Sequence, residues 1–251
     1  MKSLLPLKRY SQMDHANMSK LTVPEMLAQA VPGGESIFPA TSKAMPKPPR
    51  FLEISRNFDR DSSRKATSLE RISTPDDQAP SFGGINGSRV SLSEASEMRV
   101  EFVGNSSNAL DYYDCSGSIF FASEKLKRSI ENVDTGAMEF RELNIMNNDH
   151  LHNKYYLAMP FREIFGVDTE FTDVVVRSHE LIPGRYLNVQ FYGERLVLRS
   201  DIPSSVHVFK DLASPWQFWS VDLVRHIRNN EVKGLSARDP SRLTSEYDVK
   251  L

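Results

Sequence analysis

His150 and His152, in the run Asp149-His150-Leu151-His152, form the one local cluster with metal-ligand chemistry. On a strand the two rings would point the same way and could share a Zn²⁺. Their flanks, Asn147-Asn148 and Asn153-Lys154, read instead as a polar turn, and no third ligand is identifiable, so neither metal nor cofactor is expected. The single cysteine, Cys115, sits between Asp114 and Ser116-Gly117. Nearby carboxylates raise a thiol pKa and disfavour the reactive thiolate. A hydrolase or transferase assembled from Cys115 with His179 or His207 is the enzymatic alternative, and it has no spacing support. His226 falls beside the apolar face of a helical segment, where a half-buried structural role is the default. The sequence has no Walker loop, GxGxxG, GxSxG or HExxH. Gly83-Gly84-Ile85-Asn86-Gly87 is glycine-rich but lacks the hydrophobic strand that a phosphate cradle follows. These residues point away from catalysis.

The acidic side chains carry a different message. Residues 1–75 hold 12 basic and 7 acidic groups, 76–150 hold 6 and 13, and 151–251 hold 13 of each, so the middle third is locally −7 in a chain of net −2. Nucleic-acid binding wants a concentrated basic face and is not expected. An acidic patch suits a basic protein partner, because it speeds encounter and mimics a phosphate field. Candidate contacts are Asp111, Asp114, Glu131, Asp134, Glu139, Glu142 and Asp149, with solvated helix and strand faces as the alternative. Apolar anchors are also needed at an interface. Tyr112, Tyr113, Trp216 and Trp219 are the candidates, with a core role as the rival account.

Positioning these residues requires a fold, and the chain's texture changes along its length. Nine of the 14 prolines precede residue 81, and Pro39 to Arg50 cannot be helical. A short helix is predicted from Val23 to Val31, capped by Thr22 and stopped by Pro32-Gly33-Gly34. Ser55 to Gly87 reads as long loops draped over the body, or as disorder. Residues 1–95 are thus expected to be a Pro/Ser-rich region packed on an α+β domain of residues 96–251. From Met98 onward short β-branched and aromatic runs recur: MRVEFV, SIFFA, AMEFREL, KYYLAM, TDVVVR, LNVQFY, RLVLR and VHVFK. Their alternation predicts mostly antiparallel strands. Two segments have helical spacing, Ser123 to Val133 and Ser220 to Glu231, each with a serine N-cap and an acid in the first turn. Phe121 to Asn132 lies over Phe218 to Asn229 with Phe, Ser, Leu, Arg, Ile and Asn in register, and Gly136 and Gly234 follow. Either a strand-helix-strand unit is duplicated, or both segments answer the shared demands of capping and amphipathicity.

The run IFFASEKLKRSIENVDTGAMEFREL resembles the strand-Ser-helix-Gly-strand unit of family eleven of the bacterial polymorphic-toxin immunity proteins. The run from VHVFKDL through WSVDLVRHIRNNEVKGLSARD resembles that family's closing segment. The resemblance spans roughly residues 95–245, and the preceding segment adds nothing to it. It implies a non-catalytic protein that binds a cognate toxin, delivered by a type VI or contact-dependent route, and blocks it by occlusion. The start, MKSLLPLKRY, holds only a four-residue apolar stub interrupted by Pro6, too short for a signal or a membrane span. A cytoplasmic antidote with no membrane partner is therefore expected, and it suits a cytosol-acting, nuclease-like toxin. An adaptor that docks through the Pro-rich stretch is the non-catalytic alternative.

Overall fold

The three predicted helices are present, and the two with serine caps start alike. Ser123 Oγ accepts the N–H of Leu126 at 3.2 Å, and Ser220 Oγ accepts that of Leu223 at 3.1 Å. The computed structural model describes residues 10–12, 21–44, 48–56, 67–71, 92, 99–116, 118–146, 154–178, 186–191, 196–212, 216–241 and 249–250. Its first elements are β1 (Tyr10–Gln12), α1 (Val23–Gln29), β2 (Glu35–Phe38), β3 (Phe51–Arg56), β4 (Ser68–Arg71) and β5 (Arg99–Val103). Next come β6 (Tyr112–Ser116), β7 (Ile119–Ser123), α2 (Glu124–Glu131), β8 (Met138–Glu142), β9 (Asn144–Met146), β10 (Tyr155–Pro160) and β11 (Glu163–Ile164). The last are β12 (Val174–Ser178), β13 (Tyr186–Phe191), β14 (Val208–Asp211), β15 (Gln217–Ser220), α3 (Val221–Asn229), β16 (Leu235–Arg238) and β17 (Val249–Lys250). Pairing is mostly antiparallel and the helices few, which makes the chain α+β.

Two sheets share one plan. The first runs β6-β7-β10-β8, and the second contains β14-β15-β3-β16. In each, a hairpin strand feeds a serine-capped helix, and a glycine at positive φ (+84° at Gly136, +93° at Gly234) turns the chain into the exit strand. In each, one antiparallel strand separates entry from exit. In the first sheet that strand is β10, which follows in sequence. In the second it is β3, from the N-terminal region. The second sheet is also extended, with β11 beside β14 and β17 beside β16.

The inner faces of both sheets and both helices meet in one core. Leu126 and Ile130 of α2 and Leu223 and Ile227 of α3 are fully buried there with Phe120 and Trp219, and Leu52 and Ile54 are buried beside them. Burial of each such side chain stabilises by about 1.5–3 kcal/mol. The outer face of the first sheet packs Phe121, Tyr155 and Leu157 against Leu69, Val100 and Phe102 of the β4-β5-β9 sheet. The outer face of the second packs Phe51, Phe209 and Phe218 against α1 and the β1-β2-β12-β13 sheet.

Several expectations change. α1 stops at Gln29, short of Val31, whose N–H is taken by Ser36 Oγ at 2.9 Å. The run RLVLR contributes a single bridge, Val167 to Leu198, where a strand was expected. Its backbone is drawn to irregular partners: Leu196 N–H donates to Pro240 O at 2.8 Å and Val197 N–H to Thr172 Oγ1 at 2.9 Å. Within the segment read as loops, residues 68–71 form β4 against β5. Hydrogen-bonded pairing therefore crosses residue 95 at β4 and again at β3. Most of 57–91, including the glycine-rich run, lies outside the described residues.

Candidate functional site

Each helix cap is tied to the exit of the other helix. Asp111 faces Ser123: it accepts the Ser123 hydroxyl at 2.5 Å through Oδ1 and the Lys233 N–H, just before Gly234, at 2.8 Å through Oδ2. His207 faces Ser220, with Nδ1 2.8 Å from Oγ, and its own N–H donates to Asp134 Oδ2 at 3.2 Å, just before Gly136. Asp134 also takes a two-pronged bond from Arg162, at 2.6 and 2.9 Å. Asp111 and Asp134 are both buried. Buried acids demand such partners, and here the partners fasten one unit to the other.

The predicted contact residues therefore separate. Asp111 and Asp134 are buried and serve as internal struts. Tyr112 and Tyr113 are buried in the two cores that flank β6, which settles them as packing residues. Burial first, then the charge of Asp114, pushes the Tyr112 phenol well above its ordinary pKa, and its hydroxyl accepts from Gln217 at 3.2 Å. Trp219 is buried, and Trp216 is half-buried against the outer core. Glu131 pairs with Lys127 at 2.8 Å, and Glu142 with Lys154 at 2.8 Å. Asp114 and Glu142 are exposed and Glu139 is half-exposed. Asp149, His150, His152 and His179 lie outside the described residues. Cys115 is half-buried at the end of β6, whereas His207 is engaged with Ser220. No group of His, Cys, Asp or Glu among the described residues is arranged to hold a metal.

Two concavities lie elsewhere. Two adjoining clefts of about 460 and 420 Å³ share Asp168, Arg199 and Ser200. Their charges are committed: Arg199 forks onto Asp201 at 2.9 and 2.6 Å, and Arg50 binds the carbonyls of Ile202, Pro203 and Val206. Pro48 and Pro49 line the larger cleft, and Ala40 N–H donates to Asp173 at 2.7 Å, so parts of the Pro-rich stretch are strapped to the body. No motif marks these residues, because the cleft is assembled from segments far apart in sequence.

What remains exposed is surface for contact: strand edges, helix faces, and the apolar side chains Val103, Met146 and Phe161. No helix among the described residues is long and apolar enough to cross a membrane. The chain belongs to the immunity protein family Imm11, whose model matches residues 9–241. As a family member it is an immunity protein, not an enzyme. The match begins far before residue 95, which corrects the narrower resemblance. The reason is visible in β3, which fills the central slot of the second sheet. No curated protein matches the chain.

Proposed function

We propose that this protein binds a cognate secreted antibacterial toxin, delivered by a type VI or contact-dependent route, and silences it in the cytoplasm by covering its active site. The family match over residues 9–241 carries this reading. The toxin is a basic, nuclease-like domain, a class that suits the local −7 of residues 76–150. With Asp111 and Asp134 buried, that complementarity falls to the surface acids Asp114, Glu139 and Glu142.

Co-expression with the toxin encoded beside it tests the reading directly: growth is rescued if it holds, and equal killing with and without this protein ends it. The charge claim is tested separately. Asp114→Lys with Glu142→Lys slows association and flattens its salt dependence. Unchanged kinetics at low salt would remove the basic-toxin part and leave occlusion standing.

A further inference from the structure

The two units differ at their edges. In the second sheet, β11 and β17 cover both outer strands of the shared plan; in the first, β6 and β8 are the last strands among the described residues. The free side of β6 is already engaged, because the N–H groups of Asp111 and Tyr112 both donate to Lys233 O, at 2.9 and 3.2 Å. A register shift between Asp114 and Ser116 also bends that edge. That leaves β8.

Its polarity follows from two bonds at its ends. Leu143 N–H donates to Tyr155 O, and Phe161 N–H donates to Ala137 O, each at 2.9 Å. In an antiparallel ladder the residues that bond inward alternate with those that face out. Residues 137, 139, 141 and 143 therefore bond toward β10, and Met138, Phe140 and Glu142 present N–H and C=O outward. Met138 is buried, Phe140 half-buried and Glu142 exposed, so the accessible edge centres on Phe140 and Glu142.

We infer that the toxin adds an extended segment antiparallel to β8, bonding the outward backbone of Phe140 and Glu142. This rests on the immunity reading and deepens it. The second unit shows the docking mode within the same molecule: β17 lies antiparallel on β16, pairing Ser236 with Lys250 and Ala237 with Val249. Side chains set the occupant's chemistry. An apolar residue packs beside Phe140, whose ring already meets Tyr156 edge-on at 6.3 Å, and a basic residue two positions along on the same face lies beside Glu142.

Amide hydrogen exchange on the full chain, free and saturated with the purified toxin domain, reads this residue by residue. The amides of Phe140 and Glu142 exchange fast in the free protein and slow by at least about tenfold in the complex, whereas Glu139 and Arg141 are protected in both. Fast exchange at 140 and 142 within a formed complex overturns the inference. So does protection already present in the free protein, which would mean that this chain or a second copy occupies the edge. If wild type forms no complex, the immunity reading is what fails. Proline substitution is a second test, since an outward N–H is the one a proline can replace without breaking the ladder. Phe140→Pro binds about five- to tenfold more weakly than Phe140→Ala, the worth of roughly one backbone hydrogen bond. Equal affinities would overturn the edge contact.

Discussion

Ser123 and Ser220 occupy matching positions, but the groups behind them differ. Loss of a serine cap costs about 1 kcal/mol. Ser220→Ala should cost about that much, because the other partner of its Oγ is the ring of His207, which is only half-buried. Ser123→Ala removes in addition a bond to a buried carboxylate, worth about 1.5–3 kcal/mol. Urea unfolding of the two variants should rank Ser123→Ala as clearly the more damaging. A second residue-scale device spans α2 and β10. The Tyr156 hydroxyl donates to Glu124, which also takes Arg128 at 2.7 Å. The bond from Tyr156 is the largest cause holding Glu124 below its ordinary pKa, and the same bond pushes Tyr156 up to about 12. For the acid, the stability is present above its unfolded pKa and fades as pH falls through the lowered value. For the phenol, it is present below about 10 and fades as pH rises toward about 12. The gap in Tm between wild type and Tyr156→Phe should be flat near neutrality and close at both extremes; a gap that persists at both would show that packing, not the bond, sets it.

At the scale of elements, the two exit turns use the same backbone under different constraints. Gly136 has φ +84° with open space around an added Cβ, whereas at Gly234, φ +93°, a Cβ would lie 2.8 Å from both Leu110 Cβ and Tyr112 O. Gly136→Ala should therefore cost about 1–2 kcal/mol, from the left-handed backbone alone. Gly234→Ala should cost about 1–3 kcal/mol more, because a backbone oxygen cannot step aside. Thermal unfolding of the two single variants separates the cases. Caps, helices and exit glycines were legible in the sequence because each is decided within a dozen residues. β3 was not: Phe51, Leu52, Glu53 and Ile54 are all buried, so the period-two signal is absent, and Glu53 is held by Arg238 at 2.6 Å, far along the chain. The burial of Asp111 and Asp134 was not legible for the same reason, since Lys233 and Arg162 are distant in sequence. The edge position of β8 among the described strands was beyond reach as well, because only the assembled sheets show which of two matching edges is covered.

For the whole molecule, the consequence is that the N-terminal region and the C-terminal helix share one core. Leu52 and Ile54 pack with Trp219, Leu223 and Ile227, and β3 is bonded on one side to β15 and on the other to β16. A domain that needs a distant strand to complete its sheet cannot unfold in two independent steps. Ile54→Ala empties part of that shared core at a side chain only 5% exposed and should lower stability by about 2–5 kcal/mol. Both tryptophans, at 216 and 219, lie at β15 beside β3, so their fluorescence reports the second sheet. Far-UV circular dichroism reports the helices and strands together. The two signals should move to lower denaturant by the same amount and remain superimposable, because the substitution weakens a core common to both units. A fluorescence transition left in place while another shifts would mean that residues before 95 form a separate body, and the cross-bracing at Asp111 and His207 would then have to be local.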